Sequence, residues 1–337
     1  MEKRKIVFLS LPSGIFGNGG QSWRSIDLVP AEQLLKNRGF EVIRSTIDKT
    51  QELAVKPSDI VIYSSCEQPD IREYMKDAFY FLRERCVLLP EYEFLLSYEN
   101  KGFQELMKSK LGIGNLPGSY HFDLNDIVDS VPCVFKTTTG AGSSGVHLVR
   151  SDKDIVRMRR KYFGIRLKRK LIVRQRMIAL GKDEYQAYKY RHKGFCRYIA
   201  QEFVPNAEYD YKVLIFGDRY FGLKRYVRKG DFRASGSGDF DFTSRLPDQV
   251  LNFAANLAER LGAPQLSLDI VTSIKGCHLI EYQAMNFGPM ALTQSLGYYR
   301  RAPDTDCWSW TETSSDLSEC FAYSLIHYFD KHRISST

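Results

Sequence analysis

The sequence predicts an α/β protein, with a parallel sheet over residues 1–96 and a mixed α+β region from there to residue 337. Three observations carry this expectation. Through the first 90 or so residues, strand-length apolar runs alternate with helix-period segments, which is the grammar of parallel strands joined by crossover helices. From about residue 97 the strands arrive in pairs joined by short turns. The chain is also long enough for two or three packed subdomains, with 43% hydrophobic and 26% charged residues, both ordinary for a globular protein.

The elements follow in order. Lys5–Ser10 (KIVFLS) reads as a buried first strand. Its basic lead-in has too short an apolar stretch, and no cleavage-type site, for a signal peptide. Residues 26–38 have helical periodicity and end at Gly39. Residues 41–45 and 59–64 read as strands, 70–85 as a helix, and 86–89 as a strand stopped by Pro90. Together these imply a Rossmann-like sheet. Lys101–Leu111 is helix-like, 131–137 and 146–149 are strands, and 198–204 is a strand running into Pro205. Residues 211–216 and 220–227 form a hairpin turned at Gly217 and Asp218. A helix over 247–261 precedes strands at 265–271 and 277–282, and residues 316–331 form an amphipathic helix.

Composition excludes several classes. No apolar run approaches the roughly 20 residues that span a bilayer. Seven scattered cysteines without a C-x-x-C pair argue against a disulfide framework and a zinc site, and a cytoplasmic location is expected. The net charge of +8 resides in one segment. Residues 157–176 carry ten of the 48 Lys and Arg and no acid, so the rest of the chain sets 38 basic residues against 40 acidic ones. That segment is either a solvated helix face or a surface for an anionic substrate. Nucleic acid is not expected as a partner. The loop from Gly14 to Gly20 does not fit the dinucleotide fingerprint, since no start gives glycine at places one, three and six. It is either a flexible turn or backbone approaching a ligand.

Three blocks carry chemistry. Lys136 ends a buried strand and is followed by Thr-Thr-Thr-Gly140-Ala-Gly142-Ser143-Ser144-Gly145. A lysine there is costly unless it meets an anion, and the loop offers N–H groups and hydroxyls to phosphate oxygens. The second block is Gln201-Glu202-Phe203-Val204, with Asp210 and Lys212 behind it. Backbone groups at that strand end can pair with an adenine edge, and Asp210 can accept from ribose hydroxyls. The third block is Asp269 and Glu281, with Gln283 and Asn286 close behind. Carboxylates on adjacent buried strands repel. Either a magnesium ion carrying phosphate oxygens or salt bridges to basic residues would resolve that.

This order resembles the ATP-grasp superfamily of carboxylate–amine ligases, and is most similar to glutathione synthetase, D-alanine–D-alanine ligase and the ribosomal-protein glutamate ligases. The resemblance spans about residues 97–300. It implies a Rossmann-like pre-ATP-grasp domain at 1–96, a lid subdomain with a basic insertion at 97–205, and a catalytic subdomain at 206–337. It implies ATP and Mg2+ as cofactors. ATP would meet Lys101, Lys136, Gly140, Gly142, Ser143, Ser144, Gly145, Gln201, Glu202, Phe203, Val204, Asp210 and Lys212. Asp269 and Glu281 would ligate magnesium, with Gln283 or Asn286 completing the set where the family usually has Asn. Arg225 matches a cation that contacts the transferring phosphoryl group, and Lys212 sits where glutathione synthetase has an arginine. The substrates implied are a carboxylate (an amino acid, peptide or uronic acid) and an amine, in a chain whose relatives often form homodimers. The alternatives are a small-molecule kinase of an anionic substrate and a nucleotide-fold binding module for an anionic polymer. His147, beside the loop, is a further candidate for a substrate role. Tyr298, Tyr299, Arg300, Arg301, Trp308 and Trp310 either shape an acceptor site or fill a core. The expectation that joins these residues is that Lys136, Asp269 and Glu281 converge on the same triphosphate.

Overall fold

A computed structural model describes residues 3–337 except 22, 114, 124–130, 141–143, 164–181, 193–194, 244 and 303–306. Gly142, Ser143 and residues 164–176 of the basic segment therefore lie outside the described residues. The chain gathers into two compact units, residues 1–115 with 206–337, and residues 116–205.

The first unit opens with a parallel sheet, order β2-β1-β3-β4. Its strands are β1 (Lys5–Ser10), β2 (Glu41–Thr46), β3 (Ile60–Tyr63) and β4 (Val87–Leu89). All four residues of β3 and five of six in β1 are buried, as strands covered on both faces must be. Ile6, Phe8, Ile60 and Ile62 pack against α1 (Val29–Asn37) and the C-terminal helix α9 (Leu317–Lys331) through Leu35, Phe321, Leu325 and Phe329. Val7, Leu9, Val61 and Tyr63 pack on the other face against Met75, Phe79 and Leu82 of α2 (Pro69–Leu82). Helix α1 starts later than its periodicity suggests because Pro30 stands in its first turn, where proline's fixed φ favours initiation. Two further helices, α3 (Tyr92–Ser97) and α4 (Lys101–Leu111), lead out of this region. Asn100 caps α4 by accepting from the Phe103 N–H, and Gly112 ends it at φ +59°.

The same unit holds a seven-stranded sheet, order β13-β12-β9-β10-β14-β15 with β11 beside β10. Its strands are β9 (Tyr209–Phe216), β10 (Arg219–Tyr226), β11 (Phe240–Asp241), β12 (Gln265–Ser273), β13 (Gly276–Gln283), β14 (Gly297–Arg301) and β15 (Trp308–Glu312). One face carries Val213, Ile215, Leu266, Leu268, Ile270, Leu279 and Tyr282 against α7 (Asp248–Leu261), whose Val250, Leu251, Ala254 and Leu257 are buried. The opposite face is apolar at one end, where Leu214, Phe216, Phe221 and Leu223 meet Phe287 and Leu292 near the short helix α8 (Met290–Thr293). At its other end the face turns polar. Between β12 and β13 the register slips, with Asp269 opposite Glu281 but Ile270 opposite Leu279. Ile280 is thus an extra residue, and this bulge lets Leu279 and Tyr282 face the core while Glu281 points to the polar side.

The second unit is a four-stranded antiparallel sheet, order β5-β8-β6-β7. Its strands are β5 (Gly118–His121), β6 (Cys133–Thr137), β7 (Val146–Val149) and β8 (Tyr198–Glu202), with helices α5 (Asp152–Tyr162) and α6 (Lys182–His192). Its core is aromatic. Phe135 stacks on Tyr198 at 4.7 Å and on Tyr162 at 5.2 Å, and Phe163 meets Tyr198 edge-on.

Candidate functional site

In the first unit, strand alternation places one row of polar side chains across three strands. Lys212 of β9 lies opposite Asp269 of β12, which lies opposite Glu281 of β13. Two residues along, on the same face, Ser267 lies opposite Gln283. On the far side of β9, Asp210 faces Arg225 of β10.

The charges in this row neutralise one another. Arg225 clasps Asp210 with Nε to Oδ1 at 2.6 Å and Nη2 to Oδ2 at 2.9 Å, and Nη2 also lies 2.9 Å from Asp269 Oδ2. Lys212 Nζ donates to Ser267 Oγ at 2.8 Å and stands 3.4 Å from Asp269 Oδ1. Lys101, from α4, reaches Glu281 at 3.5 Å. Two like charges about 5 Å apart repel by about 3 kcal/mol at an effective dielectric of about 20, and each nearby cation offsets a term of that size. The salt-bridge alternative raised by the sequence is therefore realised here, with three cations among three carboxylates.

The pKa values follow from these contacts. Burial pushes the Asp210 carboxyl up to about 6, against the pull of Arg225. Asp269 suffers the same burial, but Arg225 and Lys212 outweigh it and hold the carboxyl down at about 2. Burial works against the Arg225 charge, yet Asp269 and Asp210 overcome it and raise the guanidinium above its ordinary value. The clasp fixes Arg225 as a charged, oriented fork.

In the second unit, Lys136 is buried at the end of β6, and its Nζ donates to Gln201 Oε1 at 2.6 Å. Gln201 sits opposite Val134, two pairs along the ladder from Lys136 and so on the same face. Glu202 is exposed, Phe203 and Val204 are half-buried, and the Glu202 N–H is committed to the Pro117 carbonyl at 2.8 Å. The loop after β6 is pinned at its base. Thr137 N–H donates to the Gly145 carbonyl at 3.1 Å, and Thr137 Oγ1 donates to the Thr139 carbonyl. Gly145 lies at φ +76°, where an added Cβ would fall 2.0 Å from Thr137 Oγ1. Gly140 lies at φ +124° against Ser144. Only glycine meets both demands.

No protein-family model and no curated protein matches this chain. Among solved structures it is similar to the D-cycloserine synthetase DcsG, with 11% identity, 98% of this chain and 100% of that one covered, and a TM-score of 0.53. It is similar to the ATP-grasp ligase PsnB complexed with a minimal precursor, at 12% identity, 97% and 100% coverage, and a TM-score of 0.51. A third is a RiPP-associated ATP-grasp ligase of Chryseobacterium gregarium in complex with ADP and a leader and core peptide, at 12% identity, 95% coverage of both chains and a TM-score of 0.51. The chain has the ATP-grasp fold. Identities this low carry the architecture and leave the chemistry to the residues themselves.

Other candidates in this ATP-grasp chain have structural employment. Asn286, at φ +49°, donates through Nδ2 to Tyr98 OH at 2.7 Å. His147 Nε2 meets Tyr162 OH at 2.8 Å, and its ring packs near Phe135. Tyr299 OH accepts from the Leu246 N–H, Trp308 Nε1 donates to Asn252, and Trp310 underlies Arg245. Arg300 meets Asp218 and Tyr323. Ser267 is a site neighbour that the sequence reading missed. Its signal was its position two residues before Asp269, which puts it on the same strand face. All seven cysteines are free thiols, and among the described residues no helix is long and apolar enough to cross a membrane.

Proposed function

We propose that this chain is an ATP- and magnesium-dependent ligase that activates a carboxylate as an acyl phosphate and joins it to an amine. The observation that best supports this is the Lys212–Asp269–Glu281 row braced by Arg225, in a chain of ATP-grasp fold. The neighbour solved with ADP and a leader and core peptide supports a nucleotide and a peptide-like substrate.

The donor types suit magnesium. Asp269 and Glu281 offer hard oxygens from directly opposed positions, with the Gln283 amide nearby. Among the described residues no set of three or more His, Cys, Asp or Glu is grouped for a metal, so nucleotide and water oxygens would supply the other ligands. Magnesium held there would neutralise phosphate charge. Lys136 and the loop from Gly140 to Gly145 would hold the triphosphate, and the loop would keep water from the acyl phosphate. Gln201 through Val204 would border adenine, with Lys101 and Lys212 as further cations toward the nucleotide. Arg225 would stabilise charge developing on the transferring phosphoryl group and then on the tetrahedral oxyanion. Asp210, both of whose oxygens accept from Arg225, would hold that guanidinium in place. A role at the ribose would use the second acceptor site that each of those oxygens retains. We keep 1–96, 97–205 and 206–337 as the functional division, and the cytoplasm as the location on the strength of the free thiols.

The test is ADP release across carboxylates crossed with amines, with mass spectrometry of the products. Release that requires both partners, with a product mass equal to acid plus amine less water, supports the ligase. One observation favours a second reading: Lys153, Arg157, Arg160 and Lys161 stand exposed around one groove on α5, which suits a polyanionic substrate. A stable phosphorylated product formed without amine would establish that kinase reading instead.

A further inference from the structure

A cavity of about 190 Å³ lies at the end of the seven-stranded sheet away from the charged row. It is bounded by the β9–β10 turn and by the C-terminal ends of α7 and α9. Tyr220 of β10, which lines it, pairs with Ile215, whereas Arg225 pairs with Asp210. Five residues of strand, about 17 Å at roughly 3.4 Å per residue, therefore separate Tyr220 from Arg225. The proposed chemistry does not use this cavity.

Four polar groups from three elements line it without hydrogen-bond or ion-pair partners of their own. Tyr220 is 7% exposed, and its hydroxyl makes no hydrogen bond among the described residues. Burial raises its pKa, and the Glu259 and Asp218 carboxylates add to the rise, so both acids stand near it. Asp218 is already committed, to the Tyr323 hydroxyl at 2.5 Å and to Arg300 at 3.1 Å. Glu259 makes no ion pair among the described residues. It sits in the last turn of α7, where the helix dipole disfavours a negative charge. Lys331, in the last turn of α9, lines the same cavity and also makes no ion pair among the described residues. His327 is half-buried and stacked on Tyr323, and its ring nitrogens make no hydrogen bond among the described residues. The turn holds this histidine closely, since a Cβ added to Gly217 at φ +63° would fall 2.9 Å from His327 Cβ.

An acid and an ammonium thus line one space, unpaired with each other, beside the apolar Ile215, Ala255 and Ala258. The volume falls short of the roughly 300–1,000 Å³ of sites for drug-sized ligands, which limits the occupant to a small molecule. A zwitterion answers both charges at once. Its ammonium would meet Glu259 and the Tyr220 hydroxyl, and its carboxylate would meet Lys331 and His327. We propose that this cavity is a binding site for an α-amino acid with a short apolar side chain. It goes beyond the ligase reading and does not depend on it.

The test is calorimetric titration of the full chain with L-valine, with 3-methylbutyrate, which lacks the ammonium, and with isobutylamine, which lacks the carboxylate. Valine should bind, and each analogue should bind at least about tenfold more weakly. Glu259→Gln, Lys331→Met and Tyr220→Phe should each weaken valine about tenfold. Glu259 and Lys331 are exposed, so thermal melts of those two variants should match the wild type. No binding of valine, equal affinity for either analogue, or wild-type affinity in any of the three variants overturns the site. Asp269→Asn and Lys136→Ala should leave valine affinity unchanged. Valine binding lost in either of these assigns the amino acid to the residues of the proposed reaction and also overturns the site.

Discussion

Arg225 lies 2.9 Å from Asp269 while it clasps Asp210 with two further bonds. One guanidinium thus bridges two carboxylates on neighbouring strands. An arginine tied at both ends cannot swing to meet a substrate, so any catalytic role it has is that of a fixed charge.

Removing the Asp269 charge tests that arrangement. Asp269→Asn should lower turnover by about a hundredfold or more, while Asp210 keeps Arg225 seated. Denaturant unfolding should register a loss of about 1–3 kcal/mol. Undiminished turnover would take Asp269 out of the mechanism.

Glu281 is more exposed than Asp269, with 22% of its side chain accessible against 15%. Glu281→Ala should therefore abolish magnesium-dependent turnover with little change in melting temperature. A magnesium titration of activity beside a thermal melt separates the two effects, and full activity at ordinary magnesium would sink the metal role.

The pH dependence has two opposite parts. Asp210 is raised to about 6, so its contribution to stability is complete below about pH 4 and is lost as pH rises through about 6. Asp269 is lowered to about 2, so its contribution is present above about pH 4 and is lost as pH falls through about 2. Protonating Asp210 also weakens its hold on Arg225. Wild-type kcat/KM should show an acid limb near pH 6 that Asp210→Asn lacks. The same limb in both proteins would assign it to another group.

Gly145 pins the loop after β6. Gly145→Ala places a methyl against Thr137 at a φ that costs an L residue about 1–2 kcal/mol. Turnover should fall at least about tenfold as the loop base opens. Steady-state kinetics that match the wild type would leave the loop without a role.

The basic face of α5 has its own test. Arg157→Glu with Arg160→Glu should raise KM for an anionic substrate and spare ATP affinity measured by titration. An unchanged KM removes that face from substrate binding.

Much of this was legible in the sequence because hydrophobic patterning is local. The runs KIVFLS and IVIY fixed β1 and β3, and the Gly217-Asp218 turn fixed the β9–β10 hairpin. Asp269 and Glu281 were placed on neighbouring strands from their apolar flanks. Lys101, Lys212 and Arg225 were named for the nucleotide through the family resemblance, but their ion pairs with these acids were not legible, since the three cations come from three elements and meet the acids only through tertiary register. Strands β14 and β15 were missed because GYYRR and WSWTE lack a sustained apolar face. The Tyr98–Asn286 contact joins residues 188 apart and leaves no local trace.

Ile280 is the residue that the pairing of β12 with β13 does not count. Deleting one residue within a strand ordinarily turns the side chains on one side of the deletion inside out. Here excision of Ile280 would leave Leu279, Glu281 and Tyr282 facing as they do now and merely straighten the strand. Length variation in β13 therefore has one tolerated address, and it adjoins the acid that the chemistry needs.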